Sequence, residues 1–134
     1  MSRILVDTNL LLDLVTDDPR WAGWSAEALD RAASRGALAV NDVVYAELSV
    51  RFARIEEVDA LLDEARIALD AMPRPALFLA GKVFRRYCDA GGTRTGVLPD
   101  FFIGAHAAVS GLTLLTRDAR RYRTYFPTVA LVTP

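Results

Sequence analysis

A chain of 134 residues with 52% hydrophobic and 25% charged residues carries enough apolar material for one buried core, and this composition excludes a disordered chain. Cys88 is the only cysteine, which excludes an internal disulfide and predicts a reducing, cytoplasmic setting. No apolar run approaches the roughly 18 residues that span a bilayer, so no membrane association is expected.

"RILV" (3–6) is a short run of branched residues and predicts the first strand. Asp7 interrupts the apolar run behind it, so no signal peptide is expected. Helical spacing follows over 9–16 and 21–35, then a second strand, "ALAV" (37–40), then helices over 43–53 and 55–66. "IALDAM" (67–72) is compatible with a further short extended piece. A helix over 75–89 runs into "DAGGTRTG" (89–96), a loop by its glycines. Helix 99–110, strand "LTLLT" (112–116), helix 118–123 and strand "TVALVT" (128–133) complete the chain. Strands alternating with helices imply parallel strands covered on both faces. The expectation is a single domain over 1–134, an α/β fold of three layers (α/β/α) with a central parallel sheet of four to five strands. Such sheets hold their ligands beyond the carboxyl ends of the strands, at the topological switch point.

Three aspartates fall at such places. Asp7 follows "RILV", Asp118 follows "LTLLT" through Arg117, and Asp100 opens the helix leading into that same strand. Each has a local explanation as well. Asp7 and Asp118 suit helix caps, and Asp100 in "VLPDFF" suits the positive end of a helix dipole behind Pro99. Glu47 is more telling. In "NDVVYAELSVRF" it lies about 60° round the helix from Val44, on the stripe 44, 48 and 52, so it borders a buried face. A carboxylate there is costly unless it is paired or binds a cation. His106 sits about 240° round from Asp100 and is expected to pack elsewhere. Asp100 shares its face with Ile103, Gly104, Ala107 and Gly111, and the small residues among them predict close approach to the sheet.

Two carboxylates about 4 Å apart repel by roughly 4 kcal/mol at an effective dielectric of 20. Four acids at one place therefore share protons or a cation. Oxygen donors with no nearby His or Cys favour Mg²⁺ or Mn²⁺ over zinc, and such a site suggests phosphate-ester chemistry. The net charge of −1 counts against nucleic acid at first sight, but only Lys82 of the 16 basic residues is lysine. The others are arginines, suited to bidentate phosphate contact. The densest patch, Arg117, Arg120, Arg121 and Arg123, reads first as a solvated helix face.

"ILVDTN", Glu47 on a mid-chain helix, "LPDFFIGAHA" and "LLTRD" together resemble the PIN-domain nucleases, and most closely the VapC toxins of bacterial toxin–antitoxin (VapBC) pairs. The likeness runs through the whole chain in order and spacing. It implies a metal-dependent endoribonuclease that hydrolyses phosphodiester bonds of structured RNA such as tRNA. Asp7, Glu47, Asp100 and Asp118 would be its catalytic acids. Asp7, Asp100 and Asp118 would hold Mg²⁺ or Mn²⁺, with Glu47 acting directly or through a water, to activate a water for in-line attack. Asn9 and Thr116 are candidates for orienting these carboxylates. Arg94, Thr95 and Arg117 are candidates for RNA contact. The same resemblance implies a homodimer and a VapB-like antitoxin partner.

Other readings stay open. A DNA-directed nuclease would use the same chemistry, since no motif reads the 2′-hydroxyl. A phosphoacceptor domain of receiver type would want paired acids after the first strand and a late lysine, but the chain has Asp-Thr-Asn and a mid-helix Lys82. A haloacid-type phosphatase needs an aspartate where Asn9 stands. A non-catalytic interaction module with the same acidic pocket is the remaining alternative.

Overall fold

The structure is a computed structural model in which residues 3–93 and 97–134 are described. Five strands form one sheet in the order β3-β2-β1-β4-β5, and every neighbouring pair is parallel. These are β1 (Arg3–Val6), β2 (Ala37–Val40), β3 (Ile67–Leu69), β4 (Thr113–Leu115) and β5 (Leu131–Val132). The helices are α1 (Thr8–Val15), α2 (Ala22–Ala33), α3 (Asp42–Ser49), α4 (Ile55–Glu64), α5 (Arg74–Asp89), α6 (Leu98–Ser110) and α7 (Arg120–Tyr125). None is long and apolar enough to cross a membrane. The three-layer α/β architecture expected from the sequence is present.

Branched residues on both faces explain why the sheet is parallel and covered. Leu5, Val6, Val40, Leu114 and Leu115 are completely buried. The open segment 67–72 resolves into β3, which pairs with β2 through Ile67 opposite Leu38. Two expected spans shorten and a third shifts along the chain, each for a local reason. The fifth strand loses its start because Val129 N–H bonds back to the Phe126 carbonyl in a turn. Helix α3 ends at Ser49, beyond which Arg51 and Phe52 donate to carbonyls three residues back. Helix α7 begins only at Arg120 because Asp118 N–H donates to Thr116 Oγ1, at 3.1 Å, and holds residues 116–118 in a turn.

The chain direction across the sheet reverses at β1, whose two neighbours are β2 and β4. This is the switch point, and Asp7 N–H extends the β1–β4 pairing by donating to Leu115 carbonyl at 2.9 Å. Helices α5, α6 and α7 meet over this end through Tyr87, Phe101, Tyr125 and Phe126, whose rings lie 5.2 to 6.2 Å apart. One expectation changes here. The close neighbour of Gly104 is not a strand but the Phe126 ring, which occupies the space a Cβ would take. The small-residue face of α6 therefore seats the end of α7. Gly111 ends α6 at φ 65°, a left-handed conformation that a residue with a Cβ adopts only with strain.

Candidate active site

Asp7 stands at the N-cap of α1 but makes no capping bond with its side chain. The carboxylate turns instead toward the switch point. Its Oδ2 accepts from Thr116 Oγ1 at 2.8 Å and from the Tyr122 hydroxyl at 2.9 Å, with Asn9 Nδ2 at a long 3.5 Å. The Thr8 backbone N–H adds a further, weaker stabilisation of the charged form. Burial, with a smaller push from the Asp100 charge, raises this carboxyl to about 6 against the Thr116 and Tyr122 hydrogen bonds, which hold it down.

Glu47 repeats the pattern on α3. Its Oε1 accepts from Thr8 Oγ1 at 2.7 Å, and no described donor reaches Oε2. The carboxyl is raised by burial and by the Asp100 charge, against the Thr8 hydrogen bond. Asp100 lies in the first turn of α6, where Pro99 tolerates the missing N–H. Its Oδ2 receives Arg121 Nη1, and the Tyr122 hydroxyl also lies close enough to favour the charged carboxylate. Burial raises this carboxyl too, partly offset by Arg121, with the Asp118 charge adding to the rise.

Asp118 is exposed at the rim, beside Arg120 and Arg121. It does not cap α7, whose N-cap is Ala119. Thr116 joins the acids. Its hydroxyl donates to Asp7 while accepting from Asp118 N–H, with Asn9 Nδ2 at 3.4 Å. Arg117 is engaged elsewhere: Nε and Nη2 grip both oxygens of buried Asp13 at 2.8 and 3.1 Å, and the guanidinium lies 5.2 Å from the Trp21 ring centroid. Arg94 and Thr95 lie outside the described residues. His106 is buried with Nδ1 3.2 Å from Asn41 Nδ2. Asn41 Oδ1 caps α3 by accepting from Val44 N–H, so Nδ2 is the donor and Nδ1 must accept. Burial pushes the imidazole pKa down, consistent with the neutral form.

Sequence reasoning missed three members of this site. Thr8 and Tyr122 reach their carboxylates across 39 and 115 residues, and no local periodicity announces such pairs. For Tyr122 one signal existed, since a buried tyrosine hydroxyl needs a partner. Its own pKa is pushed well above the usual value by burial and by the Asp7 charge, so it remains a donor. Arg121 was visible only as part of a basic patch.

Among the described residues no group of three or more His, Cys, Asp or Glu side chains is arranged to hold a metal ion. Arg121 takes one oxygen of Asp100, and Asp118 faces solvent, so the three-aspartate gathering expected from the sequence is not closed in this arrangement. The donor chemistry nonetheless fits a hard divalent cation. Asp7, Glu47 and Asp100 are oxygen donors brought together in a largely buried place, and burial together with mutual repulsion pushes all three carboxyls up, a setting that a divalent cation would relieve.

The solved structures most similar to this chain include three toxin–antitoxin complexes. VapBC2 from Rickettsia felis bound to a promoter DNA fragment is 19% identical, with 98% of each chain covered and a TM-score of 0.73. VapBC-1 from nontypeable Haemophilus influenzae is 16% identical over 98% of this chain and 97% of the other, with a TM-score of 0.72. A toxin–antitoxin complex from Klebsiella pneumoniae is 21% identical over 98% and 97%, with a TM-score of 0.69. These similarities establish a shared fold. No curated protein matches the sequence. The family model of the PIN domain matches residues 4–127, from β1 to just past α7, and with the parallel sheet and its switch point this shows that the chain belongs to the PIN domain family.

Proposed function

We propose that this chain is a single-domain, metal-dependent endoribonuclease, the toxin of a VapBC-type toxin–antitoxin pair. The observation that carries the reading is the trio Asp7, Glu47 and Asp100 at the switch point, three largely buried carboxylates close enough for the Asp100 charge to act on the other two. Membership in the PIN domain family and likeness to toxin–antitoxin complexes support it. A VapB-like antitoxin, a homodimeric state and a cytoplasmic setting belong to the same proposal.

Asp7, Asp100 and Asp118 would hold Mg²⁺ or Mn²⁺, with Glu47 acting directly or through a water. When bound, such an ion polarises a phosphoryl oxygen and lowers the pKa of a water. The residues of the chain supply the setting. Thr116 and Tyr122 fix the rotation of the Asp7 carboxylate, and Thr8 fixes that of Glu47, so the unanchored oxygens keep their direction. Burial of Asp7 excludes water from its anchored side. Glu47, with its raised pKa, is suited to accept a proton from a water beside it.

The test is incubation of the purified protein with total RNA, and in parallel with DNA, in Mn²⁺, in EDTA, and as the Asp7→Asn variant. Discrete RNA cuts that need both the ion and Asp7 are expected. Cuts confined to DNA would assign the same chemistry to a DNA-directed enzyme. Cleavage that persists in EDTA would overturn the metal-dependent reading.

A further inference from the structure

Asp7 and Glu47 are anchored by neutral hydroxyls, from Thr116, Tyr122 and Thr8. Such donors can stay in place when a cation approaches the opposite oxygen. Asp100 differs, because its anchor is the Arg121 guanidinium. Among the described residues it is the only one of the four acids that forms an ion pair. A guanidinium and a divalent cation on one small carboxylate repel each other, so the two compete for Asp100.

Arg121 is held by fewer bonds, and to a more exposed carboxylate, than Arg117 is. Arg117 grips both oxygens of Asp13, whose side chain is only 3% exposed. Arg121 bonds a single oxygen of Asp100, and both side chains are about a third exposed, at 31% and 32%. Arg121 also has somewhere to go. It lines a depression of about 330 Å³ shared with Tyr87, Asp118, Arg120, Thr124 and Tyr125. Its guanidinium already lies 5.9 Å from the Tyr87 ring centroid, where the ring face favours a cation. Arg120 on the same rim adds a second positive charge, so the two guanidiniums outweigh the single Asp118 carboxylate there and suit a phosphate group.

We propose that Arg121 is the resident counter-cation of the acidic site: it neutralises Asp100 in the ion-free protein, yields that carboxylate to a divalent cation, and turns into the Tyr87 depression to hold a phosphate of the RNA strand beside the cleaved bond. The proposal rests on the nuclease reading above. Ion binding and strand binding are thereby coupled through one side chain, since the ion frees the group that receives the substrate.

The experiment is a calorimetric titration of Mn²⁺ alone, without RNA, into wild type, Arg121→Gln and Arg121→Lys, followed by RNA cleavage at saturating Mn²⁺. Arg121→Gln is expected to bind Mn²⁺ at least roughly tenfold more tightly, because a competing unit charge a few ångströms away is gone. Its KM for RNA is expected to rise at least roughly tenfold, and Arg121→Lys to stay near wild type in Mn²⁺ affinity while recovering part of the KM loss. Mn²⁺ affinity in Arg121→Gln equal to or weaker than wild type overturns the proposal while leaving the nuclease reading intact. Tighter Mn²⁺ binding with an unchanged KM overturns the phosphate role. Absence of Mn²⁺ binding in all three proteins overturns the metal reading itself. A purely packing role would lower the melting temperature and leave Mn²⁺ affinity unmoved.

Discussion

The Tyr122 hydroxyl donates to Asp7 Oδ2 at 2.9 Å, on the oxygen that also accepts from Thr116. Removing it in Tyr122→Phe takes away a bond that favours the ionised carboxylate, so the Asp7 pKa rises beyond about 6. Cleavage is expected to fall several-fold at pH 6 and to recover most of that loss at pH 8, with a stability cost of about 1–2 kcal/mol. A pH–rate profile of the two proteins checks this. An equal loss at both pH values would show that the hydroxyl does not act through Asp7.

Asp7 has a folded-state pKa above its ordinary value, from 3.8 to about 6, so its carboxyl favours the folded state when protonated. That contribution is complete below about pH 4 and is lost as pH rises through about 6. It amounts to roughly 3 kcal/mol as an order of magnitude, and the raised carboxyls of Glu47 and Asp100 act in the same direction. Asp7→Asn keeps an oxygen for Thr116 and Tyr122 but cannot ionise. In EDTA at pH 7.5 it is expected to melt above wild type, and the gap should close toward pH 4. A variant that melts below wild type at pH 7.5 would sink this account.

Arg117 is a structural residue in this fold, whatever strand passes over it. Arg117→Ala leaves the buried Asp13 carboxylate with Ser25 Oγ, at 2.8 Å, as its only described side-chain partner. The expected loss is about 2–3 kcal/mol, below the full value for a buried pair because Arg117 is partly solvated. Urea denaturation measures it. An unchanged midpoint together with weakened RNA binding would reverse the assignment and make Arg117 a substrate contact.

His106 is buried on α6, on a different face from Asp100, and paired with Asn41. His106→Ala is expected to keep cleavage within roughly tenfold, about 1.4 kcal/mol in barrier, and to lose about 1–3 kcal/mol of stability because Asn41 Nδ2 is left buried without its acceptor. Rates and melting curves taken on the same preparation separate the two effects. A thousandfold rate loss in a folded variant would place His106 in the chemistry.

The strands were readable because their residues are locally apolar on both faces. "RILV" and "ALAV" match β1 and β2 to the residue. Asp7 and Asp118 were readable as strand-end residues for the same reason, and the helical wheel sufficed to send His106 away from Asp100. The wheel did less well for Gly104, since it finds a face but not the partner that fills it, here Phe126. The hydroxyl anchors Thr8 and Tyr122 depend on which elements the sheet order brings together. The ion pair of Arg121 with Asp100 also competes with solvent, and a wheel shows neither kind of bond. The parallel sheet order itself, β3-β2-β1-β4-β5, follows from crossover geometry that short apolar runs leave undetermined.

The pairing of Asp7 N–H with Leu115 carbonyl carries a consequence for biosynthesis. Asp7 leaves the ribosome well before the strand β4 beside it and before both hydroxyl anchors, which follow 109 and 115 residues later. At ordinary elongation rates the interval is on the order of ten seconds. Through that time β1 has an open edge, Asp7 has neither Thr116 nor Tyr122, and Asp100 has no Arg121. On the nuclease reading, the acidic site is complete only once α7 has followed, which would keep the nascent chain from cutting the message that encodes it.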